Sequence, residues 1–561
     1  MEIKGRLKVN TKDEEFIEFD CDYENKDTVR SVGAKWNNLS KKWYLPYLSY
    51  NALSQLMKIN DAGEIIFIME GDLFHWYMNM DLQMETATRL KRCGYSDLPN
   101  FKDKDNLYSH QKQTLMFGET LDSYADLSDC GTGKTIATLS IINSRNISAN
   151  GGHFSAKGDF KALVLCPKSI ILSGWIEDCE KAFPNLTSVP VIGNAKKKLK
   201  AFNTPAHIYV TNYETMNQNF EFEPGDFDML VCDEAVRLKN PSANWTKAVT
   251  KLAKIIPHKV IISGLITPNN LQEIYSPFNI LVPNILGSSF YQFRDKYFTP
   301  NPYSYMNKEW IPKATAYDEI TEKIEPYIIR HKKSDCLDLP DKIHTCREIP
   351  MDKEQRKHYD KMLKEFVVEV EDETVTAVSK GSALQKLAQI TSGFIYTKDE
   401  ERPFISFANA KAKELKGIIE GELLDEQVLI FCTYRGGISM FRDLYPNEAF
   451  ITGGQTTSDQ ESAISRFKSG EARILFANIK ASKYGLTFTN CNNVIYFSLS
   501  YSLDDMYQSE ERIHRIGQEN MCNYIYLMAE NSTDKRVYTS IKKKQNLNDM
   551  MYSLIEDYKE K

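Results

Sequence analysis

Three features that mark other classes of protein are missing from this sequence. No apolar stretch is long enough to cross a bilayer. The first residues, MEIKGRLKVNTKDEEF, lack the apolar segment of a secretory signal. No two of the 11 cysteines form a CxxC pair, which disfavours a structural zinc site and a disulfide framework. These absences predict a cytoplasmic protein that is not secreted, has no membrane partner and keeps its thiols reduced.

An excess of positive charge, which would indicate a polyanionic partner, is missing as well. The formal net charge is -6, from 70 basic and 76 acidic side chains. This balance neither indicates nor excludes nucleic acid, because a large protein can concentrate positive charge on one surface. The length of 561 residues, with 42% hydrophobic and 26% charged residues, indicates several soluble globular domains.

Three regions differ in their hydrophobic pattern. Residues 1–100 carry short strand-like runs and aromatics, and we interpret them as a small α+β accessory domain. Residues 101–340, and a second series within 341–561, alternate apolar runs with amphipathic helices, which is typical of parallel sheets covered by helices. From about 345 to 415 the pattern predicts charged helices. The strand-like runs are, in chain order, FKALVLCP, HIYVTN, FDMLVCDEA, HKVIISG, QVLIFCTY, EAFITG, ARILFANI, NNVIYFSL and NYIYLMAE. The predicted fold is α/β, with two lobes and a helical insertion.

One helix of the second series can be delimited from its first turn. Ser458 and Glu461 have the spacing of a capping box, and Ala463, Ile464 and Phe467 follow on one helical face. The pattern predicts an amphipathic helix with Ser458 as its N-cap.

A glycine-rich segment links a predicted strand to the helical run TIATLSIINSR. The segment, SDCGTGKT at residues 128–135, is a P-loop in which a serine replaces the first glycine. Gly131 and Gly133 would let backbone amides approach phosphates, Lys134 would neutralise the β- and γ-phosphates of ATP, and the Thr135 hydroxyl would bind Mg²⁺. The alternative is a glycine-rich turn before an ordinary helix. The residues predicted to bind nucleotide here are Gly131, Thr132, Gly133, Lys134 and Thr135.

Two adjacent acids, Asp233 and Glu234, end a later apolar strand. Acids at the carboxyl end of a parallel strand reach the crevice where ligands bind. Asp233 is the predicted Mg²⁺ ligand, and Glu234 would orient and deprotonate the attacking water. Alone, such a pair is more often a solvated strand end; the P-loop upstream favours the catalytic interpretation.

The segment Asp505–Gln518, DMYQSEERIHRIGQ, predicts a helix ended by Gly517. On such a helix Gln508, Arg512 and Arg515 share one face. Adjacent guanidinium groups repel unless an anion lies between them, and a triphosphate would supply that anion. The alternative is a surface helix whose arginines pair with the two preceding glutamates.

Over about residues 105–540, the motifs and their order along the chain resemble those of superfamily-two helicases, specifically Swi/Snf-type ATPases. The segments that carry the resemblance are Leu107–Gln111, Asp129–Thr135, Cys166–Ser169 followed by Trp175, Val210–Glu214, Asp233–Asn240 (DEAVRLKN), Ser263–Gly264 with Pro268–Asn269, Arg294–Phe298, the run IIRHKKSDCLDLP, and Gln508–Gln518 ending in HRIGQ.

The resemblance implies two RecA-like lobes that use ATP with Mg²⁺. It implies that Gln111 reads adenine, that Gly485 contributes to nucleotide binding, and that Gln508, Arg512 and Arg515 act in catalysis. It further implies that two segments of the first lobe track a nucleic-acid backbone, through Pro167, Lys168, Ser169, Thr211 and Asn212.

Three motifs depart from the family pattern. Val236 replaces the histidine of the DEAH-type motif, and Leu265 and Ile266 replace a Thr-Pro pair. The segment Lys480–Gly485 has lost a glycine pair and keeps only its last glycine. Because none of these changes removes a hydrolytic group, they concern the coupling of hydrolysis to movement.

The N-terminal region resembles the HARP-like module of DNA-annealing members of the family, on the runs VGAKW and KWYLP. A polar turn separates two strand-like pieces, which predicts a β-hairpin. Trp36, Lys42 and Trp43 are the predicted DNA contacts, through stacking and phosphate pairing. The alternative is that the aromatics fill a small core.

The predicted function is that of an ATP-dependent translocase that remodels or reanneals branched or blocked double-stranded DNA in replication, recombination or repair. One alternative is a motor that acts on RNA or on a DNA-bound protein such as RNA polymerase; another is a binding module that no longer hydrolyses ATP. We expect a monomer in a bacterial or phage-infected cell, with replication or transcription proteins as candidate partners. Three basic clusters are candidate phosphate contacts: Lys196–Lys198 with Lys200, Lys332–Lys333 and Lys542–Lys544. The alternative for each cluster is a solvated surface that binds no nucleic acid.

Overall fold

A computed structural model describes most of the chain as two compact units, one within Met1–Lys332 and the other within Lys333–Asn548. The first unit contains the small N-terminal domain and lobe 1, and the second contains lobe 2. The described residues are 2–9, 15–93, 107–149, 160–218, 220, 222–223, 225–267, 269–302, 309–371, 377–396, 404–406, 409–480 and 487–545.

The N-terminal domain is α+β, as predicted. Its elements are β1 (Glu2–Val9), β2 (Glu15–Cys21), α1 (Lys26–Ser31), β3 (Lys35–Asn37), β4 (Lys42–Leu45), α2 (Tyr50–Asp61), β5 (Ile66–Glu70) and α3 (Asp72–Arg92). The sheet has the order β3-β4-β2-β1-β5, with β1 antiparallel to β2 and parallel to β5. Alternation along β2 buries Ile17 and Phe19 in the domain core, while Asp20 stays exposed. The predicted hairpin is confirmed: β3 and β4 pair antiparallel, with Trp36 opposite Trp43.

The long helix α3 fixes this domain to lobe 1. Near its C-terminal end Lys91 is buried, and its Nζ lies 2.7 Å from both the main-chain oxygen and the carboxylate of Glu325. Gln113 of lobe 1 donates from Nε2 to the Leu90 carbonyl at 2.6 Å. A buried ion pair is costly to break, because a lone buried charge would remain. The domain and lobe 1 therefore form one unit.

Lobe 1 is a parallel sheet with helices packed against it. Its elements are α4 (Ser109–Thr120), β6 (Ser123–Asp126), α5 (Lys134–Ala149), β7 (Ala162–Cys166), α6 (Glu177–Ala182), β8 (Ser188–Pro190), α7 (Ala195–Phe202), β9 (Ile208–Asn212), β10 (Met229–Asp233), α8 (Asn244–Leu252), β11 (His258–Ile262), α9 (Tyr275–Leu281), α10 (Phe290–Tyr297), β12 (Phe298–Pro300), β13 (Trp310–Pro312), α11 (Ala316–Ile324) and β14 (Ile328–Ile329). The sheet order is β14-β6-β11-β10-β7-β9-β8. All described pairings in it are parallel. Both β7 and β10 are buried throughout, which explains their uninterrupted apolar runs.

Lobe 2 repeats this architecture with its own core. Its elements are α12 (Lys333–Cys336), β15 (Lys342–Ile349), α13 (Lys353–Glu371), α14 (Ala377–Thr391), β16 (Phe394–Tyr396), β17 (Phe404–Ser406), α15 (Ala410–Gly417), β18 (Val428–Cys432), α16 (Arg435–Leu444), β19 (Ala449–Ile451), α17 (Thr457–Lys468), β20 (Ile474–Asn478), β21 (Asn493–Tyr496), α18 (Leu503–Glu510) and β22 (Cys522–Ala529). Residues 533–545 form a further helix. The parallel sheet has the order β15-β22-β21-β18-β20-β19. All nine predicted strand-like runs lie on strands, and α13 and α14 supply the predicted charged helices.

Three sequence expectations within lobe 2 are wrong. The stretch predicted as helical from about residue 345 begins instead with the end of β15. This strand lies at the edge of the described sheet, beside β22, and most of its side chains are exposed. The strand therefore shows no apolar pattern in the sequence. The cap of α17 is Thr456, whose hydroxyl accepts from the Asp459 amide at 3.2 Å, and Ser458 lies inside the helix. The third concerns α18, which ends at Glu510 instead of Gly517. No helix in the described ranges is both long and apolar enough to span a membrane.

Candidate active site

The P-loop of residues 128–135 connects β6 to α5, and its two glycines have positive φ angles. These are 86° at Gly131 and 80° at Gly133, a region that side-chain-bearing residues rarely adopt. A Cβ at Gly133 would also lie 2.2 Å from Nε2 of Gln111. The backbone conformation therefore favours glycine at residue 133, and a side chain there would also displace the Gln111 amide.

Lys134, the first residue of α5, turns its ammonium group back under the loop. Its Nζ donates to the Ser128 carbonyl at 2.8 Å and to the Asp129 carbonyl at 2.9 Å. Burial lowers the pKa of Lys134, but nearby acidic groups, including Asp233 and Glu234, raise it overall. The lysine is held as a cation at the point where the sequence predicts phosphates.

The predicted adenine-reading residue, Gln111, packs directly on the P-loop. Its Nε2 donates to the carbonyls of Thr132 at 3.3 Å and Gly133 at 3.4 Å, and its Oε1 accepts from the Tyr108 amide at 3.0 Å. His110 Nε2 lies 2.7 Å from the same Thr132 carbonyl. The start of α4 and the phosphate loop are thus one hydrogen-bonded cluster.

Asp233 and Glu234 lie at the carboxyl end of β10. In the sheet this strand is separated from β6 by β11 alone, so the P-loop and the two acids meet at one edge. Glu234 has φ 51° and ψ 53°, the left-handed conformation, which costs a residue with a side chain about 1–2 kcal/mol. Such strain in a residue that is not glycine clusters at functional sites.

Buried aromatic donors fix the position of Asp233. Trp175 Nε1 donates to its Oδ2 at 2.9 Å, the Glu234 amide donates to its Oδ1 at 2.9 Å, and the Tyr213 hydroxyl donates to its main-chain carbonyl at 2.7 Å. Burial raises the pKa of the Asp233 carboxyl, while the Trp175 bond and Lys134 oppose this shift. In the sequence, Trp175 and Tyr213 were recognisable only as parts of family motifs, with no role at Asp233. Trp175 is 58 positions from Asp233, and no sequence signal links the two.

The groups predicted to bind Mg²⁺ are chemically suited to it. The Thr135 hydroxyl and the Asp233 carboxylate are hard oxygen donors, which Mg²⁺ prefers. No cluster of three or more His, Cys, Asp or Glu side chains that could hold a metal occurs in the described part of the chain.

The predicted nucleic-acid contacts of lobe 1 differ in accessibility. Lys168 and Ser169, after β7, are exposed, and Asn212, at the end of β9, is half-buried. Pro167 is buried, and so is Thr211, whose hydroxyl donates to the Val191 carbonyl at 2.8 Å. The structure therefore brings Lys168, Ser169 and Asn212 to the surface and keeps the other two inside.

Two lysines of the basic clusters also face inward. Lys198 donates to the Thr215 hydroxyl at 2.9 Å and is 7% exposed. Lys333 is 7% exposed and pairs with Glu511. These two are corrected from candidate phosphate contacts to buried structural cations, because each projects from the inward face of a short helix.

The segment that carries the predicted catalytic arginines, Arg512 and Arg515, is a helix followed by turns. The helix α18 ends at Glu510 instead of Gly517. The Arg512 carbonyl accepts from the Phe488 amide at 2.9 Å, and the Ile513 carbonyl accepts from Gln518 Nε2 at 3.2 Å. These carbonyls are therefore not used in helical i to i+4 bonds.

Both arginines are anchored through their Nε atoms. Arg512 donates to the Gln508 carbonyl at 2.8 Å, and Arg515 donates to the Glu511 carbonyl at 2.7 Å. Arg515 also donates from Nη1 to the Thr487 hydroxyl at 3.1 Å. Arg512 is 3% exposed, which contradicts the alternative of a surface helix.

A buried charge cluster lies beside these arginines. The Glu511 carboxylate pairs with Lys333 and, at 2.7 Å, with Lys342. Burial alone would raise the pKa of Glu511, but the two ammonium groups lower it to about 2. Among the other predicted site residues of lobe 2, Gln508 is buried and donates to Asp504 at 2.9 Å, and Gly485 lies outside the described residues.

The N-terminal hairpin divides its aromatics between core and solvent. Trp43 packs against the domain core, while Trp36 is 45% exposed, with the ring centroids 5.6 Å apart. Lys42 lies 3.4 Å from Glu18 and 3.6 Å from Asp20. Trp36 is thus accessible for stacking, whereas Lys42 is already engaged with carboxylates.

The fold and the site together define a P-loop nucleotide-binding α/β protein with two lobes. The models of two families match the chain: the SNF2-related domain over residues 125–393 and the helicase conserved C-terminal domain over residues 410–517. The chain therefore consists largely of an SNF2-related domain followed by a helicase C-terminal domain. This pair of domains agrees with the resemblance of the sequence motifs to superfamily-two helicases.

Several curated relatives are similar over most of the chain. An uncharacterized ATP-dependent helicase of Mycoplasma genitalium is 25% identical over 85% of this chain and 45% of its own length. The putative ATP-dependent helicase/translocase YwqA of Bacillus subtilis is 24% identical, over 75% and 46%. The putative protein p41 of Acyrthosiphon pisum secondary endosymbiont phage 1 is 24% identical, over 75% and 92%. The chain thus spans about half the length of the first two.

A solved structure, the Sulfolobus solfataricus SWI2/SNF2 ATPase core in complex with dsDNA, is 23% identical to this chain with a TM-score of 0.39. The comparison covers 82% of this chain and 96% of that one. The family assignment rests on the two domain matches.

Proposed function

We propose that this protein is a DNA-dependent ATPase that moves along double-stranded or branched DNA and remodels or reanneals it where it is branched or blocked. One observation carries the proposal: the P-loop lysine and the Asp233–Glu234 pair lie at the same edge of one parallel sheet. The domain pair of helicase superfamily two supports it, as do relatives described as ATP-dependent helicases or translocases.

In this proposal the residues of lobe 1 perform the hydrolysis. Lys134 neutralises the β- and γ-phosphates, and Thr135 and Asp233 would hold Mg²⁺. Bound Mg²⁺ supplies positive charge that offsets the charge developing on the phosphate oxygens. Glu234 orients a water and accepts its proton as the water oxygen attacks the γ-phosphorus. The bond to the β–γ bridging oxygen breaks, which gives ADP and phosphate.

The remaining site residues have supporting roles in the proposal. Gln111 recognises adenine and holds the P-loop, while Gln508, Arg512 and Arg515 of lobe 2 stabilise the charge of the transition state. Gly485 is assigned to the nucleotide on the family motif alone.

DNA recognition is proposed for two surfaces of the first unit. Lys168, Ser169 and Asn212 contact the sugar-phosphate backbone, which positions the track without reading its sequence. The accessory domain, residues 1–100, targets branched DNA through the exposed Trp36, since aromatic rings stack on unpaired bases. Lobe 1 is assigned to residues 101–340 and the insertion with lobe 2 to residues 341–561. A motor that acts on RNA or on a DNA-bound protein is the competing function.

ATP turnover against duplex DNA, forked DNA and single-stranded RNA tests the proposal. We expect both DNA forms, and not RNA, to stimulate turnover of the wild-type protein. Glu234→Gln should lower turnover about 10³-fold while ATP binding persists, because the amide cannot accept the proton. The exposed Glu180→Gln is the matched control and should leave turnover unchanged. Stimulation by RNA alone, or turnover retained in Glu234→Gln, would overturn the assignment.

A further inference from the structure

Both lobe 1 segments assigned to nucleic acid lead to the same residue, Asp233. Trp175 lies in the helical turn Ile171–Ile176, which continues from Lys168 and Ser169. Tyr213 follows Asn212 directly. The indole bonds the Asp233 carboxylate at 2.9 Å, and the phenol bonds the Asp233 carbonyl at 2.7 Å.

These contacts are buried and rigidly framed. Trp175 is 1% exposed, Tyr213 is 0% exposed, and both rings belong to the core of lobe 1. A ring packed on all sides moves with its own backbone, since interiors are packed like crystals. A shift of either backbone segment, such as a bound phosphate backbone would cause, therefore moves a hydrogen-bond donor of Asp233.

The departure from the DEAH-type motif at Val236 makes these hydrogen bonds to Asp233 important. Where the family has a histidine, this chain has Val236, which is 7% exposed and has no side-chain donor or acceptor. The side chain of residue 236 therefore cannot form a hydrogen bond that links Asp233 to another site. The hydrogen bonds from Trp175 and Tyr213 to Asp233 provide a polar link between the nucleic-acid contacts and the nucleotide site. Coupling between two sites is carried by packed side chains and hydrogen bonds of this kind.

We propose that Trp175 and Tyr213 are positioning residues that transmit occupation of the nucleic-acid track to Asp233, and through it to Mg²⁺ and the nucleotide. This inference rests on the proposed function. It assigns to the aromatic pair a coupling role that the Val236 side chain, without a donor or acceptor, cannot take through a hydrogen bond.

Two conservative variants remove the donors: one replaces the indole with a smaller phenyl ring, and the other keeps the ring. Trp175→Phe deletes the indole N–H, and Tyr213→Phe deletes only a hydroxyl. The matched controls are Trp245→Phe, whose Nε1 donates to the Arg237 carbonyl at 3.2 Å, and Tyr209→Phe, whose hydroxyl donates to the Thr204 carbonyl at 2.8 Å. Neither of these two donor bonds ends on Asp233.

Two readouts are measured on the full chain. The first is the ratio of DNA-stimulated to basal ATP turnover. The second is ADP affinity by calorimetry, with Mg²⁺ and with EDTA, which needs no turnover. For Trp175→Phe we expect the ratio and the Mg²⁺-dependent gain in ADP affinity each to fall about tenfold, since the lost bond reaches a charged group. For Tyr213→Phe we expect a fall of about fivefold, since that bond joins neutral groups.

Each outcome decides the proposal. If both variants match their controls in the two readouts, the aromatic pair does not position Asp233. If basal and stimulated turnover fall by the same factor, the pair holds the carboxylate without coupling it to the track, and the inference is overturned. If DNA does not stimulate the wild-type protein, the proposed function fails, while the Mg²⁺-dependent ADP affinity still tests the positioning of Asp233.

Discussion

The two lobes share an architecture but hold their functional groups by different forces. In lobe 1 the carboxylate of Asp233 is held by neutral donors, the indole of Trp175 and a backbone amide. In lobe 2 the loop that carries Arg512 and Arg515 is anchored by the buried Glu511 carboxylate and two lysines. Neutral donors do not titrate between acid and neutral pH, whereas a carboxylate does. The charge cluster that anchors the lobe 2 loop should therefore depend on pH through Glu511, whose carboxylate is protonated only in acid.

The largest expected effect of a substitution is on ATP turnover and concerns Arg512 of lobe 2. If Arg512 stabilises the transition state, Arg512→Ala should lower the DNA-stimulated kcat about 10³-fold and change the KM for ATP far less. Steady-state kinetics with saturating DNA checks this. The exposed Arg442→Ala, on α16, serves as the control, and Arg512→Lys tests whether charge alone suffices.

Equal losses in Arg512→Ala and Arg442→Ala would remove the arginine-finger role. So would a variant whose only defect is a raised KM, because that pattern reports lost ground-state binding.

A smaller effect concerns the charge cluster that anchors this loop. Glu511→Gln leaves the buried Lys333 ammonium and the partly exposed Lys342 ammonium without a carboxylate, so we expect about 3–5 kcal/mol lower stability of lobe 2. The folded-state pKa of Glu511, about 2, is below its ordinary value of 4.5. The wild-type pair therefore stabilises the fold above about pH 4.5 and loses that contribution as the pH falls toward 2.

Denaturant unfolding of the wild type and Glu511→Gln, followed from neutral pH down to about pH 2, separates this effect from other carboxylates. The stability difference between the two proteins should shrink as the solution becomes more acidic. A constant difference over that range would show that Glu511 is not the titrating group. Lys181→Ala, which removes an exposed pair with Glu177, is the control and should change stability by about 0.5 kcal/mol or less.

Local pattern was sufficient for the elements and for the separate halves of the site. The short apolar runs that form β7, β10, β18 and β20 are buried on both faces, which explains why each run is uninterrupted and could be recognised. The P-loop could be predicted because its glycines, lysine and threonine are adjacent in sequence and each has a distinct role at a phosphate.

The contacts that organise the site were not predictable, because they join distant segments. Glu511 meets Lys333 across 178 positions, and Trp175 meets Asp233 across 58. The end of α18 depends on Phe488 taking the Arg512 carbonyl, which is again a tertiary competition. The edge strand β15 escaped prediction because its exposed side chains carry no periodic apolar signal.

The smallest expected effect is on the stability of lobe 2 and concerns a neutral hydrogen bond at the start of α17. Thr456 caps α17 by accepting from the Asp459 amide, so Thr456→Ala should destabilise lobe 2 by about 1 kcal/mol. Ser458, the N-cap expected from the sequence, lies within the helix, and Ser458→Ala should change stability by about 0.5 kcal/mol or less. Thermal or denaturant unfolding of the two variants measures the difference. The reverse order of effects would restore Ser458 as the cap and contradict the helix start at Thr457.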